Sequence, residues 1–288
     1  ALRRRNAVAR GDVTPTGQVL RESVGALEVL ERTAARVGWA AKRRGYARAN
    51  AAAERAERAG RLPPDGRRLR RGIGLALGWH GAGFTGSGEV RIQSVAALEL
   101  SPEGRPRVLA ASCELGQGAI TVFAQMVAER LGVPAELVEV QAPDTAKVPN
   151  SGPTVASRTT MVVGGLLERC ATGLRERLEL FAERPMRDGA DFQRVAKRFL
   201  KARGPLRIER RYEKPAGLEW NDATYQGDAY PCFSYAATAV EVEADLDTGE
   251  VRVTNVTTAQ EIGRPGSNPG VGILRAAMNA GVELRQGG

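Results

Sequence analysis

Twice in the middle of this chain an apolar, β-like run ends in a turn that opens a helix-like run. The first passage is Glu114-Leu115-Gly116-Gln117-Gly118, and the second is Pro149-Asn150-Ser151-Gly152-Pro153-Thr154-Val155-Ala156-Ser157-Arg158. At such a junction the first backbone N–H groups of the helix lack intrahelical partners, and the positive end of the helix dipole faces the turn. Two of them suit an anionic ligand with more than one phosphate-like group. The pattern therefore predicts a fold in which strands and helices share a core, with a cofactor site at the turns.

The rest of the chain fits that class. Residues 23–60 read as helix, with Leu27, Leu30, Ala34 and Val37 on one face and interruptions expected at Gly38 and Gly45. Gly60-Arg61-Leu62-Pro63-Pro64-Asp65-Gly66 is a plain break. Beyond it Ile73–Trp79 and Glu89–Leu100 read as strands around a glycine-rich turn, followed by Val108–Cys113. Helices are predicted over Ala119–Leu131, Val155–Phe181 and 190–202, with a short strand at Leu137–Gln141. Ser234–Ala244 alternates, turns at Asp245-Leu246-Asp247-Thr248-Gly249-Glu250 and pairs back over Val251–Thr258. Hairpins mixed with helices favour an α+β fold, mixed sheets with packed helices, over a doubly wound sheet. The expected division is a helical segment 1–62 and an α+β region 63–288, with 67–185 and 205–288 as subdomains of the latter.

Composition narrows the function classes. A chain of 288 residues buries at least one substantial core. No apolar run approaches the roughly 18–20 residues that span a bilayer. The opening Ala1-Leu2-Arg3-Arg4-Arg5-Asn6 carries no signal pattern, and a start without Met suggests numbering inside a longer product. Cys113, Cys170 and Cys232 form no C-x-x-C pair, which argues against an iron–sulfur cluster or structural zinc here, and against a disulfide framework. A reducing cytoplasm is the expected compartment. A single histidine, His80, leaves little material for a His-based metal site or a Ser-His-Asp triad. The net charge of +9 invites a nucleic-acid reading. Yet the arginines are scattered among Glu and Ala, and the clusters Arg3–Arg5 and Arg67-Arg68-Leu69-Arg70-Arg71 interleave no aromatics for base stacking. Solvated faces or contacts to an acidic partner protein explain them better.

Gly81-Ala82-Gly83-Phe84-Thr85-Gly86 satisfies the G-x-G-x-x-G expression of dinucleotide folds, but the residues after it alternate as a strand. A tight turn between strands is the better reading, with Phe84 and Thr85 able to line a pocket. Gly116-Gln117-Gly118 reads either as a plain helix-capping turn or as a loop whose amides approach a ligand. At the second junction Thr154 and Ser157 are either N-caps or ligand-facing hydroxyls beside Val155 and Ala156. Glu89 and Glu114 show no partner in sequence and read as surface or turn residues. The cysteines read as packed hydrophobes.

In combination these segments resemble a known family. Gly83-Phe84-Thr85-Gly86-Ser87-Gly88-Glu89, Glu114-Leu115-Gly116-Gln117-Gly118, Pro143-Asp144-Thr145, Pro149 to Thr159, and Val240-Glu241-Val242-Glu243 with Asp247-Thr248-Gly249-Glu250-Val251 are similar to the molybdenum-binding subunit of the xanthine dehydrogenase/aldehyde oxidase family. So is the opening, Leu2-Arg3-Arg4-Arg5-Asn6 with Thr14-Pro15-Thr16-Gly17. The resemblance implies a molybdopterin cofactor, in bacteria often the cytosine dinucleotide, with no protein side chain on the metal. It implies hydroxylation of a purine or an aldehyde with oxygen from water, and partner domains or subunits carrying [2Fe–2S] clusters and FAD. Gly116, Gln117 and Gly118 match the loop on the pterin and metal ligands, and Thr154, Val155, Ala156 and Ser157 match the loop gripping the other side. Phe84 and Thr85 match the pair bordering the substrate ring.

The same resemblance sets expectations about what this stretch lacks. The family's upstream half would precede Ala1, and its general-base glutamate would follow residue 288, so no catalytic residue is assigned; Glu89 and Glu283 are not that base. Arg275 falls where a cofactor-contacting glutamine belongs. The chain thus reads as a large fragment of a catalytic subunit. The alternative is a non-catalytic cofactor-holding or assembly polypeptide that complements a separately encoded half.

Overall fold

The computed structural model describes residues 1–261 apart from Glu22 and Leu62. Arg275, Glu283 and the rest of 262–288 lie outside the described residues. In chain order the helices are α1 Leu2–Arg5, α2 Ala26–Val37, α3 Trp39–Arg58, α4 Gly88–Ile92, α5 Ala119–Leu131, α6 Gly165–Ala182 and α7 Gly189–Arg203. The strands are β1 Leu69–Ala82, β2 Val95–Leu100, β3 Pro106–Leu109, β4 Glu139–Val140, β5 Arg207–Arg211, β6 Trp220–Asn221, β7 Gln226–Gly227, β8 Cys232–Asp245 and β9 Val251–Glu261. The fold is α+β, mixed sheets with packed helices, as the periodicity predicts.

Two layers share the work. One is the antiparallel sheet β1-β8-β9. Its inward residues Leu75, Leu77, Tyr235, Ala237 and Ala259 pack on Ala26, Val29 and Leu30 of α2. The second is the sheet β4-β3-β2-β5, whose apolar face packs against α6. Its core joins Leu98, Val108, Phe123, Val127, Leu131, Leu167, Leu174, Leu178 and Phe192. Strand β2 is buried on both faces, because Ala97 turns away from that core to meet Leu109 and Val148.

Several local expectations meet tertiary facts. Gly38 breaks the first long helix in the left-handed conformation, φ +66°, while Gly45 stays inside α3. A single exposed glycine costs a helix about 1 kcal/mol, too little to end one held along its length. The run Glu89–Leu100 is not one strand: it is helix α4 and then β2. Strand β1 does not pair with β2 either. It pairs along its whole length with β8, from Leu69↔Asp245 to Ala82↔Cys232. The glycine turn at 83–88 therefore carries the chain from one sheet to the other. Helix α3 lies along the edge strand β1, where the Asn50 carboxamide bonds both the N–H and the C=O of Arg71 and blunts that edge. Packing thus runs across the break at 60–66, and β1 and β8, which fall in the two expected subdomains, share a sheet.

Candidate functional site

The seam where the chain crosses between sheets gathers the sequence-marked residues. Gly83 leaves β1 with φ +97°, a conformation that glycine adopts freely. Its N–H donates to Ser157 Oγ at 2.8 Å. The Cys113 N–H donates to Thr154 Oγ1 at 2.9 Å. Two hydroxyls of one loop thus tie down the other two marked segments, and the turns at 83–85, 113–118 and 154–157 come together. Neither hydroxyl caps a helix. The helix that follows begins as a π-turn over Thr159–Gly164 with no side-chain cap, a geometry common at functional sites. Ala156 is held at φ +49°, in a region that costs a residue with a Cβ roughly 1–2 kcal/mol.

The first turn differs from the expectation of unpaired amides. Glu114 reaches forward and accepts the N–H groups of Gly116 at 2.8 Å, Gly118 at 2.9 Å and Ile120 at 3.1 Å. The N-terminus of α5 is therefore already occupied by an internal carboxylate. The Gly118 amide above all, with those of Ile120, Gly116 and Ala119, holds that carboxyl below the usual carboxylate range, against an opposing effect of burial smaller than that of Gly118. Gln117 folds onto the same turn, accepting from Leu115 N–H at 2.6 Å and donating to Cys113 C=O at 2.9 Å. A charge-bearing ligand can meet the exposed backbone of Gly116 and Gln117, but the helix end itself belongs to Glu114.

Phe84 and Thr85 sit on the glycine turn. The Phe84 ring covers Gly88, where a Cβ would fall 2.2 Å from it. Thr85 Oγ1 donates to Tyr230 Oη at 2.5 Å, and the Tyr230 ring lies over Gly81, where a Cβ would fall 2.0 Å away. His80 is a strand residue with its ring 6.1 Å from that of Tyr230.

Glu89 is the clearest correction. It is 3% exposed, and its carboxylate pairs with the guanidinium of Arg158, which is fully buried. Between Arg71 and Arg91 the chain carries no other formal charge, and Arg158 stands equally alone between Lys147 and Glu168. A lone charge in an uncharged stretch is a readable sign of a buried partner, because burial of an unpaired ion is so costly. Tyr230 left no comparable mark in sequence.

The donor set fits a large polar cofactor. Ser112 Oγ and Thr159 Oγ1 are buried without a hydrogen-bond partner, one beside each marked loop. Buried hydroxyls are ordinarily satisfied. Leu115 and Val155 are exposed apolar side chains on these two loops, and Ile120 is another in the first turn of α5. Among the described residues no group of three or more His, Cys, Asp or Glu is placed to hold a metal ion, and no helix is long and apolar enough to cross a membrane. Cys113 is exposed and Cys170 is buried, with burial pushing its thiol up to about 11.

Comparison with known proteins identifies the family. The family model of the molybdopterin cofactor-binding domain matches residues 40–271. The chain is 32% identical over 225 residues to the gamma subunit of the 6-hydroxypseudooxynicotine dehydrogenase complex of Paenarthrobacter nicotinovorans, covering 72% of this chain and 27% of that protein. It is 28% identical over 269 residues to nicotinate hydroxylase of Emericella nidulans, covering 91% and 19%. It is also 32% identical over 201 residues to a probable xanthine dehydrogenase subunit of Bacillus subtilis, covering 64% and 26%. The chain thus spans between 19% and 27% of the length of these relatives. Among solved structures, quinoline 2-oxidoreductase from Pseudomonas putida 86 superposes with a TM-score of 0.68 at 22% identity, over 97% of this chain and 36% of that one. Aldehyde oxidoreductase from Desulfovibrio gigas superposes with a TM-score of 0.67 at 24% identity, over 96% and 27%. At these identities the structural likeness speaks for the fold alone. With residues 40–271 matched, the chain belongs to the molybdopterin cofactor-binding domain family of the molybdenum hydroxylases, and its curated relatives include proteins named xanthine dehydrogenase and aldehyde oxidoreductase.

Proposed function

We propose that this chain forms part of the catalytic subunit of a molybdenum hydroxylase, and that the seam at 83–85, 113–118 and 154–157 borders its molybdopterin. The observation that carries the reading is the pair of bonds from Gly83 N–H to Ser157 and from Cys113 N–H to Thr154. They make one surface of three segments remote in sequence. Gly116, Gln117 and Gly118 would meet the pterin and metal ligands from one side, and Thr154, Val155, Ala156 and Ser157 from the other. The cofactor, as the cytosine dinucleotide in this proposal, supplies two-electron oxidation that places a water-derived oxygen on carbon. The chain's own residues bind and orient. Ser112 and Thr159 hold unused hydroxyls beside the loops, and Leu115, Ile120 and Val155 offer apolar cover that excludes water. Phe84 and Thr85 would border the substrate, with Tyr230 fixing the Thr85 hydroxyl.

The substrate class in this reading is a purine or related N-heteroaromatic ring, or an aldehyde. The heteroaromatic side is supported by relatives named for nicotinate hydroxylation and xanthine dehydrogenation. Partner domains or subunits would carry [2Fe–2S] clusters and FAD in the cytoplasm, and the relatives named as subunits of complexes support such partners. Purifying the complete complex and measuring molybdenum and pterin per chain tests the reading directly. One of each per chain is expected, with turnover of hypoxanthine or an aldehyde by an artificial electron acceptor. A complex free of both would end it. Bound cofactor without turnover of either class would favour the alternative, a cofactor-holding polypeptide.

A further inference from the structure

Arg158 follows directly on the segment that carries Thr154 and Ser157, and its side chain turns back under that segment. It spends its donors there. Nε meets the Glu89 carboxylate, Nη1 donates to the Pro153 C=O at 2.5 Å, and Nη2 donates to the Ser151 C=O at 2.8 Å and to Ser94 Oγ at 2.5 Å. Ser94 Oγ donates in turn to Glu89 at 3.0 Å. Gly152, between the two carbonyls, has φ +74°, and a Cβ there would fall 2.5 Å from Ile92 Cγ2 and 3.1 Å from Arg158 Nη2. The loop is wrapped around the guanidinium with no room to spare.

We propose that Arg158, seated on Glu89, is a positioning residue that sets the 151–157 loop and so aims the Thr154 and Ser157 hydroxyls at the seam. Both ends of the hydroxyl-bearing segment answer to one side chain: Pro153 through its carbonyl, and residue 158 through its own backbone. The pair does more than join layers. A well-packed apolar pair of similar volume can replace a buried ion pair without loss of stability, but it has no donors for the carbonyls of Ser151 and Pro153. Lysine does not suffice either, since a point charge cannot serve a carboxylate and two carbonyls in one plane as the guanidinium fork does. The inference rests on the seam being the cofactor border, and its test separates the two.

The comparison uses the complete complex with wild type, Arg158→Lys, Glu89→Gln and the double replacement Glu89→Met with Arg158→Met. Three quantities are read: molybdenum and pterin per chain, the melting temperature, and amide hydrogen exchange over 151–157. The double replacement is expected to recover most of the melting temperature lost in Glu89→Gln while cofactor retention stays about tenfold or more below wild type, as for other groups that orient a cofactor's contacts. Arg158→Lys is expected to lose cofactor likewise and to exchange faster over 151–157. Full cofactor retention in Arg158→Lys or in the double replacement would overturn the proposal, as would losses that merely follow melting temperature. If the wild-type complex holds neither molybdenum nor pterin, the functional reading fails instead. The exchange comparison then still decides, and unchanged exchange over 151–157 in Arg158→Lys would sink the positioning role.

Discussion

A hydroxyl at the start of a helix usually accepts from an amide two or three residues ahead. Thr154 and Ser157 instead accept from amides 41 and 74 residues away, at Cys113 and Gly83. Capping of α5 falls to Glu114, which precedes the glycine turn and takes three amides at once. Two separate tasks, holding loops together and satisfying a helix end, are thus given to residues that sequence pattern alone would have exchanged. Glu114→Ala tests the second task. Its solvent exposure keeps the expected loss near the low end of capping effects, about 0.5–1 kcal/mol at pH 7, with faster exchange at Gly116, Gly118 and Ile120. The sign with pH follows from the lowered carboxyl pKa. The stabilisation is present above the unfolded value of about 4.3 and is lost as pH falls through the folded one. Wild type and variant should therefore converge in melting temperature in acid, and a gap that does not narrow as pH falls would count against the capping role.

Elements whose signal is local were legible. Helix α5 runs over Ala119–Leu131, the bounds that its apolar spacing predicts, and the hairpin of β8 and β9 follows alternation and the Asp-Thr-Gly turn. What failed were elements decided by distant partners. The partner of β1 lies 150 to 176 residues on, beyond the whole of the second sheet and its helices, so nothing near Leu69 specifies it. Glu89 resembles the first residue of a strand because its ion-pair partner is 69 residues away. The glycine-rich break at 60–66 marks a real change of local order, yet α2 and α3 before it pack on β1, β8 and β9 after it. Its standing as a domain boundary is open to a simple test. Limited trypsin treatment should cut among Arg61, Arg67 and Arg68, and the two pieces should stay together on size exclusion, held by the α2 face and by the Glu57–Arg70 and Lys42–Glu241 pairs. Separation into free fragments would make 1–62 a domain in its own right.

At the scale of the molecule the candidate site lies on neither core but on the crossing between them. The segment 83–94 leaves one sheet at Ala82 and enters the other at Val95, and each half of it is bonded to the loop at 151–158, through Gly83 to Ser157 and through Glu89 to Arg158. A ligand at this seam would stabilise both layers, so its binding and global unfolding should be linked. The α6–β2 core has a further chemical signature. Cys170 on α6 is completely buried beside the Ala96 C=O of β2, and burial pushes its thiol up to about 11. A folded pKa raised above the unfolded value of about 8.5 means that the native state holds the proton longer. Stability is then unaffected below about pH 8.5 and falls as pH rises from there towards the folded value, because the unfolded chain gains by ionising first. Cys170→Ala should cost about 1 kcal/mol at pH 7 for the small volume removed. It should also flatten the alkaline decline of melting temperature between about pH 8.5 and 10, before the tyrosines of the fold, themselves raised at Tyr46, Tyr212 and Tyr235, begin to titrate. A variant whose alkaline decline runs parallel to wild type would show that the thiol meets solvent, and with it that the core between α6 and β2 is looser than its packing implies.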